Sequence, residues 1–136
     1  YKEVLGLRVT MDLGANVTLT GGVALQTQES WCEFISKDLQ SISFGGNAAE
    51  LYFEEDKFDD FLKKLAAIKG IFYVHPVQQY SWGQRVIRFY DPDFHILEVG
   101  ENMKSVCRRF LDSGMTIEAA AVRMNVPEKF VRACVR

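Results

Sequence analysis

The order of strand and helix signals between residues 49 and 101 restricts the fold of this chain more than any other feature. One segment, 57–68, has apolar residues at helical spacing, and Asp56 and Gly70 beside it favour a helix start and a helix end. Four segments with strand character surround it, at 49–54, 71–77, 85–90 and 95–101. This β-α-β-β-β order predicts an α+β unit in which one helix covers one face of a small sheet.

The first half of the chain shows a related order without an opening strand. Residues 1–5 have the pattern of a last helical turn stopped by Gly6, and residues 30–43 are expected to be irregular. Three short strand signals lie between them, at 8–12, 16–20 and 23–28. If an opening strand and the start of a helix precede residue 1, both halves are βαβββ modules. Two such modules would pair their sheets into a half-open barrel with the helices outside and a cleft inside.

The distribution of charge marks a boundary between residues 102 and 103. Residues 1–102 carry nine lysines and arginines against 15 aspartates and glutamates, a net charge of −6, whereas residues 103–136 carry seven against three, a net charge of +4. Helix signals begin at the same point, because apolar residues recur at helical spacing and Gly114 and Thr116 fit a helix end and a helix cap. We therefore predict a domain at 1–102 and a helical extension at 103–136.

The extension has the apolar spacing of a helix-turn-helix motif, with one helix at 117–124 and another that follows Pro127. Its last helix would expose four charged residues, Glu128, Lys129, Arg132 and Arg136. A small helical cap on an acidic domain needs the same spacing, and this helix has no cluster of Asn, Gln or Ser side chains for contacting bases. We therefore favour a cap or a dimer contact over binding of nucleic acid.

Composition and short motifs exclude several classes of protein. Hydrophobic residues make up 48% of the 136 residues, as in an ordinary globular domain, yet no apolar run approaches the roughly 20 residues of a membrane span. Three widely spaced cysteines fit neither a disulfide framework nor a zinc site, and the N-terminus shows no secretory leader, so we predict a cytoplasmic protein with no membrane partner. The sequence shows no motif for a nucleophile elbow, a phosphate loop or a dinucleotide site, which argues against most hydrolases, kinases and dehydrogenases.

Three segments carry a resemblance to a known family. The first is YKEVLGL at 1–7, the second is ELYFE at 50–54 followed by FDDF at 58–61, and the third runs from SWGQR at 81–85 to RFYDPDF at 88–94. They make residues 1–102 similar to the vicinal-oxygen-chelate superfamily, which includes glyoxalase I, bleomycin-resistance proteins and extradiol dioxygenases. Phe94 stands where the family commonly has glycine, so we expect a different turn type or some strain there.

The resemblance implies a divalent metal in the cleft. By position, Glu98 corresponds to a late-strand ligand, Glu50 to the first-strand ligand of the same module, and Gln26 to the late-strand ligand of the first module. Strand alternation supports this position for Glu98, since Leu97 and Val99 would face the helix and Glu98 would then face the cleft. Oxygen ligands suit Mg²⁺ or Mn²⁺ better than Zn²⁺, with Ni²⁺ as a further candidate. Alternatively, Arg88 alone neutralises the two glutamates and no metal is bound.

The resemblance also implies that the protein is a homodimer and binds a small organic molecule in the cleft. If the chain is a glyoxalase-like lyase or isomerase, Glu98 is the expected catalytic residue, as metal ligand or as base. Substrate contacts are expected from four side chains, Tyr52, Trp82, Arg88 and Tyr90. The alternative is a metal-free protein that sequesters its ligand, as bleomycin-resistance proteins do. A ligand-sensing regulator that binds DNA is a third interpretation. We assign no catalytic role to His75 or His95.

Overall fold

The computed structural model describes residues 1–135, so the predicted exposure of Arg136 lies outside the described residues. It contains α-helices and two β-sheets, which confirms the α+β class. The chain divides into two compact units, Tyr1–Gly46 and Asn47–Arg136. The half-open barrel and the cleft between the modules stay predictions. No helix within residues 1–135 has the length and apolar character needed to cross a membrane.

The first unit is built on an antiparallel sheet of three short strands. They are β1 (Val9–Asp12), β2 (Asn16–Leu19) and β3 (Ala24–Gln26), paired in this order. The three predicted strands are therefore confirmed, although the third is shorter than expected because a helix begins at Gln28. The helical turn predicted at 1–5 is a hydrogen-bonded turn, in which Gly6 N donates to Lys2 O at 3.1 Å and Gly6 has φ +70°.

The prediction that residues 30–43 are irregular is wrong. Helix α1 spans Gln28–Ile35, and a 3₁₀ turn spans Leu39–Ser41. Thr27 takes the extended conformation of an N-cap residue, and Ser36 ends the helix in the left-handed conformation with φ 55°. The side chain of Cys32 is buried and gives this short helix an inner face. With so few apolar positions, the helical spacing is too brief to stand out in the sequence.

The second unit contains the predicted β-α-β-β-β order. Its elements are β4 (Glu50–Glu55), α2 (Phe58–Ala67), β5 (Tyr73–Gln79), β6 (Arg85–Tyr90) and β7 (Ile96–Glu101). The strand order in the sheet is β4-β7-β6-β5, with β4 parallel to β7 and the other neighbours antiparallel. Pro76 lies in β5, an edge strand, where proline is tolerated because one side of the strand has no ladder to support.

Side chains alternate across this sheet and give it an apolar face and a polar face. Helix α2 covers the apolar face, where the rings of Phe61 and Phe89 lie 6.5 Å apart and Leu97 and Val99 are buried. The polar face carries alternate residues of β4, β6 and β7, namely Glu50, Tyr52, Arg88, Tyr90 and Glu98. The predicted orientation of Glu98, away from the helix, is confirmed.

Helix α2 begins one residue later than the sequence predicts. Its N-cap residue is Lys57, so the prediction that Asp56 caps the helix is wrong. Glu55 Oε1 accepts a hydrogen bond from Lys57 N at 2.8 Å, which orients the chain as it leaves β4. No side chain among the described residues 1–135 caps the first turn of this helix.

The extension forms three helices, α3 (Met103–Asp112), α4 (Ile117–Met124) and α5 (Glu128–Cys134), as predicted. Thr116 caps α4 by accepting a hydrogen bond from Ala119 N at 3.2 Å. Pro127 precedes α5 rather than lying in its first turn. The buried side chains of the three helices form one cluster, made of Val106, Cys107, Phe110, Ala120, Ala121, Met124, Val131 and Cys134. Helices this short are stable because they pack on one another.

Helix α3 joins the extension to the sheet. Arg109 Nη2 donates to Gly83 O at 2.7 Å and to Glu101 Oε2 at 2.9 Å. The ring of Phe110 lies against Gly83, where an added Cβ would come within 2.1 Å of Phe110 Cζ. Glu101 and Gly83 belong to the end of β7 and the loop before β6, so the extension packs on the sheet as a cap would. It lies in the same compact unit as the sheet.

Candidate functional site

Arg88 is the centre of the polar face of the second unit. Its Nε donates to Glu50 Oε2 at 2.7 Å and its Nη2 to Glu50 Oε1 at 3.4 Å, a two-point contact. Nη2 also donates to Glu98 Oε2, because Arg88 and Glu98 are opposite each other on β6 and β7. The side chain of Glu98 is 7% exposed and that of Arg88 is 19% exposed, so both charges lie largely away from water. The structure thus brings together three of the predicted site residues.

The other edge of the guanidinium contacts two residues to which the sequence assigned no function. Arg88 Nη1 donates to Tyr80 Oη at 2.6 Å and to His75 Nε2 at 3.3 Å. His75 Nδ1 donates to Pro76 O at 2.7 Å, which leaves Nε2 as the acceptor for Arg88. The ring of Tyr80 stacks on Trp82 with a centroid distance of 4.4 Å. Arg88 is therefore held from both sides.

A buried glutamine connects the polar face to the loop before β6. Gln84 Nε2 donates to Tyr52 Oη at 2.9 Å and to Glu101 O at 3.0 Å, and Gln84 Oε1 accepts from Trp82 Nε1 at 3.1 Å. Tyr52 Oη donates in turn to Glu54 Oε1 at 3.2 Å. Tyr52 and Trp82 thus share one partner. Gln84 is missing from the predicted site, although it belongs to the SWGQR segment on which the resemblance rests.

Tyr90 lies two residues after Arg88 and contacts a different set of residues. Its hydroxyl donates to Asn47 Oδ1 at 3.0 Å, and its ring centroid lies 5.8 Å from that of Phe94. Phe94 has φ 63°, in the left-handed region that an L side chain disfavours by about 1–2 kcal/mol. The strain expected at Phe94 is therefore present, and contact with Phe72, whose ring centroid is 6.2 Å away, offsets part of it.

The two carboxylates beside Arg88 have pKa values that are shifted in opposite directions. Hydrogen bonds from Arg88 hold the pKa of Glu50 below its usual value. Burial, together with the neighbouring Glu50 carboxylate, raises the pKa of Glu98, although the charge of Arg88 acts against this shift. Glu50 therefore receives most of the compensation from the guanidinium, and Glu98 is the first of the two to take up a proton as the pH falls.

Residues 1–104 match the family model described as the glyoxalase-like domain, which covers well over half of the sequence. The chain belongs to the glyoxalase-like domain family. The resemblance to the vicinal-oxygen-chelate superfamily is thereby confirmed. No curated protein matches this glyoxalase-like chain.

Several solved structures resemble this glyoxalase-like chain over about three quarters of its length. A protein of unknown function from Agrobacterium tumefaciens str. C58 is 36% identical with a TM-score of 0.64, over 75% of this chain and 79% of that one. A member of the glyoxalase/bleomycin resistance protein/dioxygenase superfamily from Sphaerobacter thermophilus DSM 20745 is 24% identical with a TM-score of 0.56, over 75% and 82%. A lactoylglutathione lyase from Agrobacterium tumefaciens is 22% identical with a TM-score of 0.55, over 76% and 80%. The last two show a shared fold.

The family implies a divalent metal, but the polar face of this glyoxalase-like chain does not fit one as it is arranged. Three of the four carboxylate oxygens of Glu50 and Glu98 accept hydrogen bonds from Arg88, whose guanidinium lies between them. Gln26 lies in the first unit, where its Oε1 accepts from Asn16 Nδ2 at 2.7 Å and its Nε2 donates to Ser30 Oγ at 2.6 Å. The role of Gln26 as a metal ligand stays a prediction.

A second group of metal-type ligands lies in the turn between β6 and β7. Asp91, Asp93 and His95 offer ligand atoms that all lie within 4.8 Å of one another. The Asp91 carboxylate already accepts hydrogen bonds from the backbone N–H groups of Asp93 at 3.0 Å and His95 at 2.8 Å. These hydrogen bonds stabilise the turn, and they do not indicate a bound metal.

Glu98 is expected to titrate at a higher pH than Glu50 when their side-chain carboxyl carbons are followed by NMR. The lowered pKa of Glu50 contributes stability that is present above its unfolded-state pKa and is lost as the pH falls through the folded pKa. The raised pKa of Glu98 acts in the other direction, because its contribution is present below the unfolded-state pKa and is lost as the pH rises through the folded pKa. Glu98→Gln assigns the resonance, and a reversed order would contradict the shared-arginine geometry.

Proposed function

We propose that this chain binds a small organic molecule on the polar face of its second unit. The observation that supports this most directly is the position of Arg88, which balances Glu50 and Glu98 and is held in place by Tyr80 and His75. The face is thus fixed and charge-compensated before a ligand arrives, so binding requires little reorganisation. This function corresponds to the ligand-sequestering alternative among the predictions.

Contacts with the ligand are expected from the aromatic side chains beside Arg88. Tyr52 is 47% exposed, while its hydroxyl is fixed by Gln84. Tyr80 and Trp82 add a stacked pair of rings, and Tyr90 adds a further ring two residues after Arg88. Aromatic surface with a few fixed polar groups is typical of small-molecule sites. A ligand with a flat apolar part and a few polar groups fits this chemistry best.

A lyase or isomerase is the second candidate function, and the environment of Glu98 favours it. Burial raises the pKa of Glu98, and a carboxylate with a raised pKa is a stronger base for removing a proton from a carbon beside a carbonyl group. One similar structure is a lactoylglutathione lyase, but at 22% identity the likeness concerns the fold. A lyase or isomerase reaction assisted by Mg²⁺, Mn²⁺, Ni²⁺ or Zn²⁺ would require Arg88 to move away from the carboxylates of Glu50 and Glu98.

We also propose that the protein is a cytoplasmic homodimer. Cys32, Cys107 and Cys134 are free and buried, which suits a reducing compartment. The homodimer rests on the resemblance, and analytical ultracentrifugation tests it. Nucleic acid is not proposed as a partner, because Arg132 on the last helix is paired with Glu128 at 2.9 Å and is less available to phosphates.

Tyr52→Phe is expected to weaken ligand binding about three- to tenfold, because the ring loses the two hydrogen bonds, with Gln84 and Glu54, that hold it in place. Candidate ligands come from a thermal-shift screen of flat aromatic acids, amines and thiohemiacetals, and calorimetry gives their affinities. Tyr73→Phe is the matched control. Tyr73 is paired with Phe89, whose ring faces α2, so Tyr73 lies on the face opposite to the polar one. The Tyr73→Phe variant should bind the ligand with the affinity of the wild type. A ligand whose affinity is unchanged by every substitution on the polar face would contradict the proposal.

Glu98→Gln separates the two candidate functions. In a binding protein it should leave ligand affinity within about threefold, because the amide keeps the shape and most of the contacts. In a lyase or isomerase it should lower the rate of proton exchange between ligand and solvent deuterium by about a hundredfold or more, because the base is lost. Exchange into the bound molecule, followed by NMR, is the measurement.

A further inference from the structure

Arg88 lies in the place where two neighbouring carboxylates would hold a metal ion. Glu50 on β4 and Glu98 on β7 both turn to the polar face, and Arg88 on β6 donates to each of them. We propose that Arg88 is a built-in cation that excludes divalent metals from the Glu50–Glu98 pair. The pair therefore becomes a metal site only when Arg88 is removed.

Charge balance makes the guanidinium and a divalent ion alternatives. Two neighbouring carboxylates, one of which is largely buried, need positive charge between them. The planar guanidinium supplies it through N–H groups that match both oxygens of Glu50 and one of Glu98. A divalent ion needs the same oxygens as ligands. If both were present, three positive charges would lie between two negative ones, so the ion must displace Arg88 in order to bind.

Displacement of Arg88 is opposed by its remaining contacts. Nη1 donates to Tyr80 Oη at 2.6 Å and to His75 Nε2 at 3.3 Å, so the guanidinium is held at the edge that faces away from the carboxylates as well. Loss of a proton does not release it either, because arginine stays charged in proteins. A metal would have to break the contacts with all four partners, and we infer that it does not.

The exclusion of metals concerns the charge balance of the polar face and goes beyond the proposed binding of an organic molecule. Both start from the position of Arg88, but each predicts a different result. A failed ligand screen would leave the charge balance unchanged, and a metal found at Glu50 and Glu98 would leave the aromatic contacts available to a ligand. The two ideas therefore have separate tests.

Titration of the full chain with Mn²⁺ tests the exclusion directly, with free Mn²⁺ followed by electron paramagnetic resonance. Glu50→Gln with Arg88 in place should bind Mn²⁺ as the wild type does, because the Glu50–Glu98 pair contributes no metal site while Arg88 is present. Arg88→Met removes the charge but keeps an apolar stem, and it should bind Mn²⁺ about tenfold or more tightly than wild type, because two free carboxylates then face each other. The double variant with Arg88→Met and Glu50→Gln should lose this gain.

Arg108→Met is the matched control, because it removes one positive charge from an exposed position on α3. Its Mn²⁺ affinity should stay within about twofold of wild type. If circular dichroism shows that Arg88→Met does not fold, Arg88→Gln takes its place. The comparison of wild type with Glu50→Gln tests the exclusion without any Arg88 variant. Binding of Mn²⁺ by wild type that Glu50→Gln removes would overturn the proposal. So would a folded Arg88 variant whose gain does not exceed that of Arg108→Met.

Discussion

Gly83→Ala is expected to lower the free energy of unfolding by about 2–5 kcal/mol, because it combines a steric overlap with a strained backbone. A Cβ at this position would lie 2.1 Å from Cζ and 2.6 Å from Cε2 of Phe110, and Gly83 has φ +90°. Phe110 is buried in the cluster of the three C-terminal helices, so it has little room to move. The substitution would therefore push α3 away from the sheet.

Gly70→Ala is the control that separates strain from overlap. Gly70 has φ +82°, but nothing lies within 4 Å of the place that a Cβ would occupy, so only the conformational cost of about 1–2 kcal/mol applies. Urea denaturation of both variants, followed by circular dichroism, gives the comparison. Equal losses of stability in the two variants would show that α3 does not pack against Gly83.

Glu101→Gln is expected to lower the free energy of unfolding by about 2–3 kcal/mol. Glu101 is 4% exposed and joins β7 to two arginines. Its Oε1 accepts from Arg85 Nη2 at 3.1 Å, and its Oε2 accepts from Arg109 Nη2 at 2.9 Å. The amide replaces one acceptor with a donor and removes the counter-charge that Glu101 gives Arg109, while Arg85 keeps its contact with Asp59. Because the arginines are partly exposed, water compensates for part of the loss.

Asp59→Asn is the matched control for Glu101→Gln. Asp59 also contacts Arg85, with Oδ1 at 2.8 Å from Nη1, but its side chain is 69% exposed, so loss of its charge should cost less than about 1 kcal/mol.

The contribution of Glu101 to stability depends on pH in a defined direction. Burial would raise the pKa of Glu101, but hydrogen bonds from Arg85 and Arg109 outweigh it and lower the pKa. Its contribution is present above the unfolded-state pKa and is lost as the pH falls through the folded pKa, so the difference between wild type and Glu101→Gln should shrink in acid.

Much of the second unit could be predicted from the sequence, because its strands alternate over several residues. The phase of β7 follows from Leu97 and Val99, and it correctly turns Glu98 away from α2. Helix α2 has a long apolar stripe, so its existence was clear, and each of its ends was misplaced by one residue. Helix α1 was missed because eight residues with one buried side chain give too little periodicity.

The contacts of the candidate site were harder to predict, because they depend on which strands become neighbours. The possibility that Arg88 neutralises Glu50 and Glu98 came from the sequence, but the contacts themselves follow from the sheet order. Tyr80 and Gln84 were missed for a different reason. Both lie in or beside the loop before β6, where no periodicity shows the direction of a side chain.

The loop before β6 is held from two sides, and this has a consequence for the affinity of the proposed ligand. On one side, Tyr80 contacts Arg88 and Gln84 contacts Tyr52; on the other, Arg109 and Phe110 of α3 hold Gly83. Helix α3, which packs on α4 and α5, thus supports the loop that carries Trp82 through contacts that involve no ligand. The entropy of ordering this loop is lost during folding, so a ligand does not have to overcome it again on arrival.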